Sequence, residues 1–425
     1  MSLYSAPLPV KIDREYQPHY YRGMYTALET RSGKRWLIAS FVIPGILLLI
    51  SLFSSCGSGG GGEILEAEKL FDLPVGILED EVDIFHRGNT LPNRKNSLYM
   101  YQGLIFIGNS LGSKVMEFSS YGDLISLIYN ENENPRPVLL SSRQDEQMVV
   151  NRSATAFPFR DIGNIAVTED HVLLVEDHVA PERRLLDQET GTALQHVIHR
   201  FGPSGNYLDY IGQEGVGGTP FPFIVSMNLT ARDDLVVTTR SLNAYEIFWY
   251  NRDGDILYTL RIDEDHLPAG DQGTFPSLET IYPDMEAYRL YLHVNFEQEN
   301  GENVTSAVYT LDLPESVYSG SFELPENLQP LPGQEGLEYI QYLFEFIGTA
   351  ADGHLFFISR NNSFEHTLII MDNEGRLVAR RILRIENPDI FFNDYTVSRE
   401  GIITALLGDP GGVALYWWRA DELLP

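Results

Sequence analysis

The sequence predicts an all-β, six-bladed β-propeller, preceded by an amino-terminal signal segment of disordered and transmembrane-like character. Three observations carry this. One kind of apolar strand recurs six times, beginning at Leu104 (LIFIG), Val172 (VLLVE), Leu235 (LVVTT), Leu290 (LYLHV), Leu355 (LFFIS) and Ile402 (IITAL), in most copies after a polar turn such as YQG, TEDH, ARDD, AADGH or SREG. Each copy is followed by a second strand: KVMEF, HVIHRF, YEIFWY, SAVYTL, HTLII and VALYWW. No long stretch keeps a helical period; short runs rich in Val, Ile, Phe and Tyr alternate instead with Gly, Pro, Asn and Asp clusters. Repetition of one hairpin-based unit is the mark of a radial array, which protects sheet edges without closing a barrel.

The first element is the amino-terminal segment, residues 1–35, Tyr-rich and without a compact hydrophobic pattern. Met24 offers an alternative start that would leave a conventional basic n-region ending at Arg35. Arg31, Lys34 and Arg35 precede the apolar run 36–55, and positive residues before such a run place its start on the cytoplasmic side. The run is long enough to span a bilayer as a helix. It ends at Cys56, the sole cysteine, and residues 57–62 follow as a Gly/Ser leash with a span of roughly 13 Å. Phe53-Ser54-Ser55-Cys56 resembles, in relaxed form, the lipobox of bacterial lipoproteins. The resemblance implies cleavage before Cys56 and acylation of its thiol, which would hold residues 63–425 at the cell envelope, on the outer membrane or the periplasmic face of the inner one. An uncleaved signal anchor is the alternative. Two or three acyl chains make a stable anchor where one holds only marginally. A lone cysteine leaves no intramolecular disulfide, so the domain must rest on its own core.

Within 63–425, four second strands run into turns carrying Gly122, Gly205, Gly254 and Gly375, in SSYGD, GPSGN, NRDGD and DNEGR. Glycine there supplies the positive φ of a tight hairpin turn. A calcium loop would need more carboxylates at fixed offsets than any one of them has. A third strand follows each turn: LISLIY, YLDYIG, ILYTLRI and LVARRIL. The extra length between units falls in loops 131–157, 178–195, 263–275 and 324–336. The sixth unit ends at LYWWRADELLP with no room for an outer strand. The segment EKLFDLPVG, residues 68–76, is therefore expected to pair with the last blade and close the ring.

The stretch 200–262, RFGPSGNYLDYIG through YNRDGDILYTLRI, resembles NHL-type and related six-bladed propeller repeats, with a glycine turn, a hairpin and a strand of "v.fd..G" form in that order. The resemblance implies a fold and a binding role, and no chemistry.

Acidic residues outnumber basic ones 60 to 30, and since residues 1–55 hold six basic and three acidic, 24 against 57 remain beyond them, a net −33. Such a surface repels phosphate backbones, so nucleic acid is not an expected partner. No nucleophile elbow, phosphate loop, HExxH or CxxC occurs, and no cofactor is indicated. His196 and His199 have the look of a metal pair, but strand alternation sends them to opposite faces. Glu176, Asp177 and His178 could form an acid–base group; an exposed loop is the expected setting. Trp249, Trp417 and Trp418 read as packing between blades. The expected function is an interaction module presenting one face or its long loops to an envelope protein or glycan. The alternative is a hydrolase like the six-bladed lactonases and esterases, which such propellers resemble in fold. Those enzymes gather Glu, Asn and Asp around calcium in the channel, and Asp161, Asn164, Asn228 and Asn393 are the candidates here.

Overall fold

The computed structural model describes residues 63–84, 96–140, 153–188, 190–298, 303–330, 339–361, 365–385, 390 and 392–425. The expected signal segment, its Cys56 and the leash lie outside these residues.

The chain opens with β1 (Ile64–Leu65) and β2 (Glu68–Leu73). Blade 1 contains β3 (Ser97–Tyr101), β4 (Leu104–Asn109), β5 (Lys114–Ser119), β6 (Leu124–Tyr129) and β7 (Ser153–Ala156). Blade 2 begins with β8 (Ile165–Val167) and β9 (Leu173–His178); a small hairpin, β10 (Leu185–Leu186) and β11 (Ala193–Leu194), precedes β12 (His196–Phe201), β13 (Tyr207–Gly212) and β14 (Gly215–Val216). Blade 3 holds β15 (Phe223–Leu229), β16 (Leu235–Arg240), β17 (Ala244–Tyr250) and β18 (Ile256–Asp263). Blade 4 holds β19 (Thr274–Pro283), β20 (Arg289–Gln298), β21 (Asn303–Asp312) and β22 (Val317–Glu323). A second small hairpin, β23 (Leu328–Pro330) and β24 (Tyr339–Gln341), leads to blade 5: β25 (Glu345–Thr349), β26 (Leu355–Arg360), β27 (Glu365–Met371) and β28 (Leu377–Arg384). Blade 6 has β29 (Phe392–Val397), β30 (Ile403–Asp409) and β31 (Gly412–Trp418), and takes β2 as its outer strand.

The ring closes as the missing outer strand demands. β2 pairs antiparallel with β31 from Glu68↔Trp417 to Leu73↔Val413, and Trp417 Nε1 donates to Glu68 Oε2 at 2.8 Å. The pairing stops at Leu73; Val75 forms only a bridge to Val82. β1 adds a contact that sequence reading did not anticipate, pairing parallel with β28 through Ile64↔Ile382 and Leu65↔Leu383. The amino end of the domain is thus stitched to both of the last two blades.

The recurrent marker strands are the second strand of each blade, not the first. The innermost strands β3, β8, β15, β19, β25 and β29 precede them and lie side by side, with β29 meeting β3. Because each strand alternates its side chains, a marker strand serves two neighbours: Ile105 and Ile107 of β4 pack toward blade 6, and Phe106 packs toward blade 2. Buried apolar residues accordingly form six clusters among the described residues, each between two adjacent blades. Trp249 and Trp418 are wholly buried in two of them, so these tryptophans are core; truncating such a side chain costs about 3–5 kcal/mol.

The four turn glycines do more than satisfy a hairpin. Gly122, Gly205, Gly254 and Gly375 have φ of 83°, 75°, 92° and 82°. A methyl group on each would also meet the outermost strand of the preceding blade: Phe71 at 2.9 Å, Thr155 at 3.1 Å, Val216 at 2.9 Å and Phe322 at 2.4 Å respectively. These turns are where successive blades touch at the rim.

Antiparallel order fixes which loops share a side. Turns joining the first to the second and the third to the fourth strand of each blade lie on one side, here the turn face. Links from second to third strand and from blade to blade lie on the other, the loop face, where residues 178–188, 190–195 and 263–275 fall.

Candidate functional site: the axial channel and its two mouths

The channel encloses about 800 Å³ and is walled by the innermost strands. Its two ends differ in chemistry.

At the turn face, Arg399 of the SREG turn in blade 6 reaches Asp233 of the ARDD turn in blade 3. Those blades stand opposite each other in the ring, so this ion pair crosses the axis. Asp233 is only 3% exposed, and its other oxygen accepts from Glu169 N at 2.9 Å, which brings in the TEDH turn of blade 2. The Arg399 guanidinium also lies 5.6 Å from the centroid of the Tyr101 ring in blade 1. Burial pushes the neighbouring Tyr99 phenol up to about 12, with Arg399 acting the other way. Backbone bonds lace adjacent blades here, Ala231 N donating to Met285 O at 2.9 Å and Ala351 N to Arg399 O at 2.7 Å.

At the loop face, blade 2 supplies a compact polar cluster. Glu176, Asp177 and His178 are not an exposed loop, as expected, but the end of β9, with Glu176 and Asp177 buried. Three polar residues in a row resemble a loop, yet alternation divides them between two faces, each with partners distant in sequence. Cross-strand register sets His196 opposite His178 and Ile198 opposite Glu176, so Glu176, His178 and His196 share the channel side. Glu176 Oε1 lies 2.8 Å from His196 Nδ1. Its Oε2 accepts from the backbone N of Asn164 at 2.8 Å and from that residue's amide at 2.6 Å. His196 Nε2 lies 3.2 Å from His178 Nε2, and His178 Nδ1 lies 3.4 Å from Asp161 Oδ2. Burial lowers the affinity of His178 for a proton, as does the adjacent imidazole of His196; Asp161, Asp177 and Glu176 raise it.

The opposite side of the same strand holds the cluster in place. Asp177 accepts from the backbone N of Arg160 at 2.9 Å and of Asp161 at 2.7 Å, and its carboxylate stands 3.6 Å from His199 Nε2. His199 packs among Phe157 and Tyr207 rings, with centroids 4.8 and 5.7 Å away. His196 and His199 therefore part to opposite faces and do not form a pair.

All four channel candidates line the cavity, but only Asp161 and Asn164 come together with the histidines. Asn393 sits across the channel, where Arg360 donates to its Oδ1 at 2.6 Å and pairs with Glu345 at 2.9 Å. Asn228, on β15, donates to Ser226 Oγ at 3.4 Å. These donor sets do not fit calcium, which takes six to eight oxygens. Both oxygens of Glu176 already face N–H groups, and two imidazoles occupy the space beside it. Among the described residues no group of three or more His, Cys, Asp or Glu is arranged to hold a metal ion.

Sequence reading missed the ion pair Arg399–Asp233. A signal existed: SREG and ARDD occupy the same position in their repeats, one with a spare guanidinium and the other with a spare carboxylate.

No protein-family model and no curated protein matches the chain. Among solved structures, a streptogramin B lyase aligns at 9% identity and a TM-score of 0.37, covering 82% of this chain and 96% of that one. Hydrazine synthase of Kuenenia stuttgartiensis aligns at 12% identity and 0.39, covering 80% and 99%. The β-propeller domain of the trilobed protease from Pyrococcus furiosus, described as having an open velcro topology, aligns at 9% and 0.35, covering 61% and 81%.

Proposed function

We propose that the protein is a lipid-anchored propeller of the bacterial cell envelope whose loop face is an interaction surface for an envelope protein or glycan. The observation that carries this reading is the gathering of exposed apolar side chains on that face. Leu185 and Leu186 stand on the β10–β11 hairpin, Leu328, Tyr339 and Ile340 on the β23–β24 hairpin, with Phe223 60% exposed at the channel wall and Leu242 76% exposed in the β16–β17 link. Val138, Leu139 and Phe275 are exposed on the same face. Apolar groups gathered on one rim around a polar cavity are what a binding surface presents. The lipobox-like Cys56 and its glycine leash support the anchoring half of the reading: they would give the domain freedom to meet a partner while keeping it at the membrane.

Two experiments test the halves separately. Cys56→Ala is expected to abolish acylation and leave an uncleaved precursor, visible as a larger species without incorporated lipid; a normally processed, membrane-bound variant would overturn the anchor. For the surface, the full-length chain is crosslinked in envelope extract and its partner identified by mass. Leu185→Ser combined with Leu186→Ser is expected to lose that partner, while Tyr121→Ser, at an exposed turn-face position, keeps it. Equal capture by both variants would contradict the assignment.

A further inference from the structure

We infer that the loop-face groove between blades 3 and 4 receives a lysine side chain of the partner, its stem against the apolar walls and its ammonium on Glu279. This rests on the loop face being the binding surface, and it makes the partner a protein with a basic segment rather than a glycan.

The groove encloses about 390 Å³ and lies beside the channel, with which it shares Phe223 and Val225 of β15. Leu278 of β19 completes its walls, and the buried Tyr245 and Leu267 line it from below, Leu267 being supplied by the long link 263–275. Leu242 and Phe275, chain neighbours of groove residues, are exposed as well. Apolar surface gathered around one slot in this way marks a place that another molecule covers.

Glu279 is the charged exception in this slot. β19 pairs Leu278↔Val294 and Thr280↔His293, so Glu279 is the extra residue of a β-bulge, a device that re-aims a side chain. The same bulge recurs at Val225 in β15 and Ile347 in β25, both apolar, so the fold itself asks for no carboxylate here. Glu279 is exposed, and Ser277 Oγ donates to its Oε1 at 3.3 Å. Among the described residues no Lys, Arg or His pairs with it, whereas the other carboxylate of the groove, Glu264, is matched by Arg240 at 3.0 Å. Arg240 also lies 5.3 Å from the centroid of the Tyr245 ring, so its charge is engaged at the rim. Oε2 of Glu279 is left as the open acceptor in an apolar slot. A lysine matches this, with a long hydrocarbon stem that buries along apolar surface and a compact charged head. An arginine fork is best met by both oxygens of a carboxylate, and one of these is engaged. The excess of 57 acidic against 24 basic residues beyond residue 55 draws a basic segment toward the domain and repels a second copy of it.

The test is fluorescence anisotropy of the full-length chain in detergent micelles, with empty micelles as the blank. Three labelled peptides are compared, Ser-Leu-X-Leu-Ser with lysine, norleucine or glutamate at X. The lysine peptide is expected to bind about tenfold more tightly than the norleucine one, which keeps a stem without the charge, and the glutamate peptide least. Glu279→Gln, which keeps the shape and removes the charge, should abolish that preference, and Phe223→Ser should weaken the lysine and norleucine peptides alike. Glu286→Gln, at an exposed position in the β19–β20 turn, should change neither. Equal binding of lysine and norleucine, an equal effect of Glu279→Gln and Glu286→Gln, or no binding of the lysine peptide up to about 1 mM would overturn the inference. Self-association of the chain that Glu279→Gln abolishes would overturn it too, by assigning the groove to a second copy. Leu185 and Leu186 lie in blade 2, outside this groove, so loss of the lysine preference and loss of the captured partner are separate results.

Discussion

The two mouths of one channel are built by opposite rules. On the turn face the links are short, Gly122, Gly205, Gly254 and Gly375 are pressed against neighbouring blades, and an ion pair joins opposite blades across the axis. On the loop face the β9–β12 link and the blade-to-blade connections are the longer ones, exposed Leu, Phe and Tyr side chains gather, and a cluster of titratable groups lies at the channel mouth. Strand order separates the two, because an antiparallel blade returns its first and third turns to one side and its second turn and blade-to-blade connection to the other. What differs is the freedom left to the sequence: the turn-face Arg399 and Asp233 are fixed by contacts across the ring, and the exposed apolar side chains of the loop face stand largely in solvent. Substitutions should therefore cost stability on one side and binding on the other.

The largest effect is expected at Arg399→Ala. It leaves the buried Asp233 carboxylate without its counter-charge, a loss of about 3–5 kcal/mol in folding stability, read as a lower urea midpoint. Partner capture by the folded fraction should be unchanged. An unaltered midpoint would mean that the turn face is not held by this pair.

Acid sensitivity of the blades themselves comes next. Burial holds His293, between blades 4 and 5, at about 4, while an unfolded histidine titrates near 6.5. The unfolded state thus binds more protons through this window, so stability falls as pH drops from about 6.5 to about 4, by roughly 2–4 kcal/mol for this residue. Above the window the contribution is constant. His293→Leu should flatten the acid limb of the stability curve; an unchanged limb would exclude this histidine as its source.

Gly375→Ala isolates the cost of blade contact. Its methyl group would sit 2.4 Å from Phe322 in a left-handed turn, whereas Gly103, with φ of 76°, has nothing within 4 Å of the same position. Gly103→Ala should therefore lose only the backbone share, about 1–2 kcal/mol, and Gly375→Ala a further 1–3 kcal/mol from overpacking. Equal losses would show that the rim contact is soft. The smallest change in stability, within about 0.5 kcal/mol, belongs to Leu185→Ser with Leu186→Ser, which should nonetheless abolish capture.

The repeats made much of the ring legible. Second and third strands, and outer strands wherever a glycine turn precedes them, announce themselves because alternation and turn chemistry recur in each blade. The outer strand of blade 4 has no such glycine before it, and residues 317–323 pass unnoticed in the sequence. The innermost strands are hidden for a different reason. SLYMY, IAV and EFIGT share no pattern, since their exposed faces answer to a channel whose wall differs from blade to blade. At the site, residue type identified Asp161 and Asn164 as channel groups, but their joining to Glu176, His178 and His196 depends on the β9–β12 register. The Arg399–Asp233 pair spans 166 residues of chain and is visible only once the ring is closed.

The most direct test of the central contrast is site-specific photocrosslinking of the full-length chain in its native envelope, with a photoreactive side chain at position 186 on the loop face or 121 on the turn face. The account predicts a discrete adduct from position 186 and none from 121. Adducts from 121 alone would contradict it and place the binding surface on the turn face.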